Sequence, residues 1–255
     1  MDLQSLREIF DIKVLQYNNP TFIELDPIQV PHRFSLKEDI EISGFLSATI
    51  SWGKRTTILK YANKMIDLLG SSPYDFIVNH KEKHLKRLES FVYRTFNSDD
   101  FLFFIKALKY IYTEREGLES IFTKYQTSDS LQSAIHHLRE EMLSIPHLSR
   151  TRKHISDPFQ GSAAKKINLF LRWMVRKDNA GVDFGIWKYI PSSSLSCPLD
   201  LHSGKVARHY GLIQRRQNDA KALIELDSNL RLMDKDDPVR YDFALFGLGY
   251  YESIK

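Results

Sequence analysis

Gly161-Ser162-Ala163-Ala164-Lys165-Lys166, running straight into Ile167-Asn168-Leu169-Phe170-Leu171-Arg172-Trp173-Met174, is the stretch on which the reading of this chain turns. The glycine predicts a tight turn, because it takes left-handed backbone angles without steric cost, and the two alanines let a neighbouring backbone come close. Ile167, Phe170, Leu171 and Met174 then recur at spacings of three and four, the period of a helix that buries one face. A tight turn leading into a helix start also directs backbone N–H groups outward, where they suit a phosphate.

The same period governs most of the chain. Residues 39–69 read as one helical stretch in two pieces, Ile40 to Ile50 and Ile58 to Leu69, broken near Ser51-Trp52-Gly53. Gly70 suits a helix stop, and Ser72-Pro73 a capped restart. Further helices are predicted at 99–114, 117–125, 128–143, 163–176, 200–210, 219–233 and 238–246, the last opened by Asp237 as cap and Pro238 as first residue. Strand signals are weak, and Ser196 to Leu199 is too short to count. The expected fold is all-α, with a central helical lobe at 37–146 and a second lobe made of 1–36 with 147–255. The N-terminal segment is expected to cross back onto the C-terminal lobe.

At 255 residues, with 42% hydrophobic and 27% charged, the chain has the composition of a globular protein long enough for one large core or two modest lobes. Eleven glycines and nine prolines are few for a turn-rich all-β fold. The single cysteine, Cys197, excludes an internal disulfide framework, a four-cysteine zinc site and a four-cysteine iron–sulfur cluster, and suits a reducing cytoplasm. No secretory signal or membrane-spanning run is visible, so a cytoplasmic protein without a membrane partner is expected. His32, His136, His137, His147 and His154 do not fall at metal-ligand spacings, so no metal and no cofactor are expected.

Net charge is +4, but from His147 to Arg176 seven basic residues face the single acid Asp157. Such a local excess is either the footprint of a phosphate-backbone binder or one solvated helix face. Lys165 stands where the positive end of a helix dipole and the adjacent Lys166 charge disfavour an ammonium ion, and a neutral amine is a nucleophile. Its bland role is to hold a phosphate or to sit in solvent. Asp200, in Pro198-Leu199-Asp200-Leu201-His202, opens the next helix. It reads as an N-cap, and a rigidly held, ionised carboxylate also suits stabilisation of a cationic sugar centre. His202, Lys205, Arg208 and His209 follow as phosphate contacts or a polar face. Trp52, beside Lys54 and Arg55 at a helix break, is placed to stack on an extruded base or to pack between the two helical pieces. Trp173 reads as core, and Val182-Asp183-Phe184-Gly185-Ile186-Trp187 as pocket rim or packing.

Gly161 to Leu171 resembles the hairpin and following helix of the helix–hairpin–helix DNA glycosylases, the endonuclease III and 8-oxoguanine glycosylase superfamily. The resemblance places that family's reactive lysine at Lys165. Pro198-Leu199-Asp200-Leu201-His202 is similar to its Val-Asp-Thr-His-type segment, which places the assisting aspartate at Asp200. Phe45-Leu46-Ser47-Ala48-Thr49 is similar to an early Leu-Leu-Ser-Ala-Gln stretch, whose last position, here Thr49, faces DNA. The hairpin's second glycine is replaced by Ala163, and the family's iron–sulfur cysteines are absent. More closely, the chain resembles a bacterial family of hypothetical proteins, domain of unknown function 2400. That likeness runs from about 20 to 250 and is carried by Asp39-Ile40-Glu41-Ile42-Ser43-Gly44-Phe45, Phe170-Leu171-Arg172-Trp173-Met174-Val175-Arg176 and Asp237-Pro238-Val239-Arg240-Tyr241-Asp242-Phe243-Ala244-Leu245-Phe246.

The resemblance implies a helix–hairpin–helix glycosylase architecture and an N-glycosylase/AP lyase that acts on a damaged or flipped base in double-stranded DNA. Lys165 and Asp200 would carry the chemistry. Gly161, Ser162, Ala163, Lys166, Thr49, Trp52, Lys54, Arg55, His202 and Arg208 would contact nucleic acid. The alternative is a non-catalytic nucleic-acid-binding protein that keeps the fold.

Overall fold

The computed structural model describes residues 2–254. It is all-helical, with no strand among the described residues and two isolated backbone bridges. The α-helices are α1 (Leu3–Tyr17), α2 (Thr21–Glu24), α3 (Lys37–Thr49), α4 (Arg55–Asp67), α5 (Pro73–Asn79), α6 (Glu82–Leu85), α7 (Ser98–Glu114), α8 (Leu118–Tyr125), α9 (Gln132–Leu143), α10 (Lys165–Val175), α11 (Leu201–His209), α12 (Ala220–Met233) and α13 (Asp242–Tyr250). No helix among the described residues is long and apolar enough to cross a membrane.

Two compact units divide the chain. One takes the residues up to Phe22, Gln126–Ser133 and those from Asp157 on; the other takes Ile23–Tyr125 and Ala134–Ser156. Thus 23–36 and 147–156 group with the central helices, and 126–133 with the unit that holds both chain ends.

In the central unit, the break between α3 and α4 falls at residues 50–54. Ser72 caps α5 through the N–H of Asp75, with Pro73 at the first turn, as the Ser-Pro pair predicts. Helix α3 departs from a one-sided pattern, because every residue from Asp39 to Thr49 is buried. Its two buried acids find partners inside the unit. Asp39 accepts from the N–H of Tyr74 at 2.7 Å, and Glu41 from the Tyr112 hydroxyl at 2.6 Å. Burial and the Glu41 charge push the Tyr112 phenol well above its ordinary range.

The unit that holds α10 is built on α11 and α13, with α1 against α13. Leu6, Phe10 and Val14 of α1 share a core with Val206, Leu226, Leu230, Tyr241 and Leu248. The return of the N-terminal segment is thus a helix burying one narrow stripe. Pro238 opens a 3-10 turn ending at Tyr241, and α13 proper runs from Asp242 to Tyr250. Asp237 makes no side-chain cap there. Its carboxylate is drawn instead to the guanidinium of Arg176, whose Nε approaches at 3.0 and 3.1 Å.

Candidate active site

The turn before α10 is held from three directions. Asp157 accepts from the N–H of Phe159 at 3.0 Å, and its carbonyl from the N–H of Ser162 at 3.2 Å. Gly161 turns the chain at φ +86°, the left-handed angle its lack of a side chain permits. Ser162 pairs with Asp219 as an antiparallel bridge, and the Gly161 carbonyl accepts from the N–H of Ala220 at 3.0 Å. Ala164, not Ala163, is the second left-handed residue, at φ +44° as the helix cap. Its N–H donates to the Ser162 hydroxyl at 3.1 Å, while Asn168 donates to the Ala163 carbonyl at 3.0 Å. Ala163 and Ala164 are buried, so their small side chains fit where larger ones would not.

Asp200 caps α11 with one carboxylate oxygen. Oδ1 accepts from the N–H groups of His202 and Ser203 at 2.8 and 2.9 Å, and the Ser203 hydroxyl accepts from the N–H of Asp200 at 2.8 Å. The other oxygen, Oδ2, lies 3.8 Å from Nζ of Lys165. Both side chains keep access to solvent, 30% for Lys165 and 21% for Asp200. Residues thirty-five positions apart are thereby joined as an ion pair at the unit's surface.

Lys166 follows on the same first turn. Burial and the neighbouring Lys165 charge pull its ammonium down to about 8. His202 packs its ring edge-on to Phe246 and Tyr250, with Nδ1 3.3 Å from the Gly249 carbonyl. Arg208 donates to the carbonyls of Gly204 and Arg215 and to Asn218 Oδ1, at 2.8, 2.7 and 2.6 Å. Its guanidinium is thus committed to braces inside the unit.

Four of the nucleic-acid-contact residues named from the sequence belong to the central unit. Thr49 is 2% exposed, because α3 is enclosed on every side. Trp52 packs its indole against Tyr93 and His154, with centroids 5.2 and 6.2 Å away. Arg55 pairs with Asp26 at 2.6 Å, and Lys54 is exposed.

The run of cations from 147 to 176 resolves into two populations. Arg152 and Lys153 are exposed, and Lys165 and Lys166 are partly buried. Arg150 pairs with the buried Asp100 at 2.7 Å. Arg172 and Arg176, each 2% exposed, are enclosed. Arg172 binds Asp183 and Asp242; Arg176 binds Asp178, Asp183 and Asp237. Their charges are neutralised within the fold, so the excess read along the sequence does not become one positive surface. Val182 and Trp187 are buried, with Trp187 edge-on to Phe170, and Trp173 is core. Cys197 is buried too; burial, with Asp242 and Asp227 nearby, pushes its thiol well above its usual range. Among the described residues no group of three or more His, Cys, Asp or Glu side chains is arranged to hold a metal ion.

Sequence reasoning passes over Asn218 and Asp219. Their only local signal is an acid before a helical run, which reads as a cap. Asp219 does cap α12, and Arg215 holds its carboxyl down at about 2.

Residues 26–251, nearly the whole chain, match the family described as Protein of unknown function (DUF2400). The chain belongs to that family. The comparisons with curated proteins and with solved structures give no match. Within this DUF2400 chain, the Lys165–Asp200 pair, the turn at 161–164 and the α12 start that ties it down lie together on one unit.

Proposed function

We propose that the protein is a DNA N-glycosylase/AP lyase of helix–hairpin–helix glycosylase architecture, acting on a damaged or flipped base in duplex DNA. The observation that carries this reading is the approach of Lys165 Nζ to the uncapped oxygen of Asp200 at 3.8 Å, with both groups accessible. The amine and the carboxylate are what Schiff-base chemistry at a sugar carbon needs side by side.

In this reading Asp200 Oδ2 takes a proton from the Lys165 ammonium, and the freed amine attacks C1′. The C1′–N bond breaks and its electron pair leaves with the base, which takes up the proton held on Asp200 Oδ2. The carboxylate so restored, already oriented by its cap, then faces the positive charge on the sugar without rearrangement. Ring opening gives the iminium. Loss of a C2′ proton then expels the 3′ phosphate, cutting the strand.

Borohydride reduction of the protein mixed with abasic-site DNA tests the proposal. A covalent adduct that disappears in Lys165→Gln and persists in Lys166→Gln supports it. Salt-sensitive DNA binding with no adduct would replace it with a nucleic-acid-binding protein on the same fold.

A further inference from the structure

Asp200 is anchored by more than its own helix. Asn218, in the connection between α11 and α12, donates its side-chain amide to the main-chain carbonyl of Asp200 at 2.6 Å. The amide oxygen of Asn218 accepts from Arg208 Nη2, also at 2.6 Å. Arg208 is held in turn by the Gly204 and Arg215 carbonyls. Space for this pair exists only because residue 204 is glycine. A Cβ there would stand 2.6 and 2.7 Å from the two amide atoms of Asn218 and 2.8 Å from Arg208 Nη1. The next residues along the chain hold the other partner. Asp219 pairs with Ser162, and the N–H of Ala220 binds the Gly161 carbonyl, fixing the turn that carries Lys165. Arg215 grips the Asp219 carboxylate at 2.7 and 2.8 Å. One short segment, Arg215 to Ala220, therefore touches the backbone of Asp200 on one side and the Lys165 turn on the other.

We propose that the Arg208–Asn218 pair, seated over Gly204, is a positioning device that sets the distance between the Lys165 amine and the Asp200 carboxylate. Its chemical use rests on the glycosylase/lyase reading, but the geometric coupling does not. A reactive amine and its carboxylate lose roughly a hundredfold in rate for a displacement of about 1 Å, which gives such a brace its consequence.

The test uses the full chain and zero-length carbodiimide coupling, which joins an amine to a carboxylate only at close approach, with the Lys165–Asp200 cross-linked peptide read by mass spectrometry. The unaltered protein should give that peptide. Asn218→Ala, and independently Gly204→Ala, should lower its yield by about threefold or more, while the Lys13–Glu252 pair couples as in the unaltered protein. On abasic-site DNA the same two variants should lower the single-turnover trapping rate by about tenfold, with Kd within about twofold. If both brace variants couple Lys165 to Asp200 in full yield, the positioning role is overturned. Loss of the cooperative melt in both brace variants also overturns it, by making the pair a general stability element. If the unaltered protein forms no adduct with DNA, the lyase reading fails while the coupling still decides whether the brace sets the pair. If the unaltered protein gives no Lys165–Asp200 peptide, the ion pair itself is refuted, and the brace with it.

Discussion

Lys165 and Asp200 meet through a division of labour within one carboxylate: Oδ1 of Asp200 is occupied by the N–H groups that open α11, and Oδ2 faces the lysine amine at 3.8 Å. Capping and ion pairing are therefore separable by substitution. Asparagine caps a helix about as well as aspartate, and alanine does not. Asp200→Asn should leave the urea midpoint close to that of the unaltered protein and yet lower the trapping rate. Asp200→Ala should lower both, with about 1 kcal/mol lost from stability. A full trapping rate in Asp200→Asn would remove the carboxylate from the proposed chemistry.

Lys166 should be a burden on the fold at neutral pH. Its folded ammonium sits at about 8, below the value for an unfolded lysine, because burial and the Lys165 charge oppose ionisation. Below pH 8 the side chain is charged in both states and the folded state bears the penalty. Above the unfolded value it is neutral in both, and the penalty is gone. Lys166→Met should therefore raise Tm at pH 7, with the advantage shrinking as the pH rises from 8 past 10. An unchanged Tm at pH 7 would contradict the buried placement of the amine.

Arg172 binds two carboxylates from the interior, with its guanidinium over the Phe243 ring at 4.5 Å. Removing one partner of a buried ion pair leaves charge without compensation, at a cost of about 3–5 kcal/mol. Arg172→Met should be destabilised by that order in urea denaturation at pH 7. The loss should be smaller at pH 5. Burial pushes the Asp242 carboxyl up to about 6 even with Arg172 beside it, and without that charge it protonates more readily still. A loss independent of pH would rule out Asp242 as the group left stranded.

The return of α1 onto α13 depends on one close approach. A Cβ at Gly247 would lie 2.0–2.6 Å from ring atoms of Tyr17, which is itself held by the Glu252 carboxylate at 2.5 Å and stacked on Tyr251. Gly247→Ala should overpack this contact, costing about 1–3 kcal/mol. It should also open α1 to limited proteolysis before the rest of the unit. Equal protease resistance would show that the ring can move aside.

Much of this architecture can be read in the chain because its signals are local. The α3–α4 break, the Ser72-Pro73 restart and the cap at Asp200 each lie within a few residues of the structure they specify. Helix α1 is harder to see. Its core stripe is only Leu6, Phe10 and Val14, while the exposed Leu3, Ile12 and Leu15 blur the period. Arg172 and Arg176 look like surface cations because two of the four acids that bind them, Asp237 and Asp242, come some sixty to seventy residues later. Thr49 is hidden for a similar reason. An apolar stripe marks one face of α3, whereas the polar residues of its other faces are covered by elements that short-range spacing does not encode. Of the candidate site, Lys165 and Asp200 are legible as a turn and a cap. The Asn218–Arg208 brace between them is not, because side-chain-to-carbonyl bonds across a connection leave no periodic trace.

The most direct measurement is the chemical identity of the linked residue. Reduce the full-length protein on abasic-site duplex with borohydride, digest the adduct and sequence the cross-linked peptide by mass spectrometry. The proposed chemistry places the sugar remnant on Nζ of Lys165. A remnant on Lys166 or on any other amine, or no adduct under conditions where the DNA is bound, would contradict it.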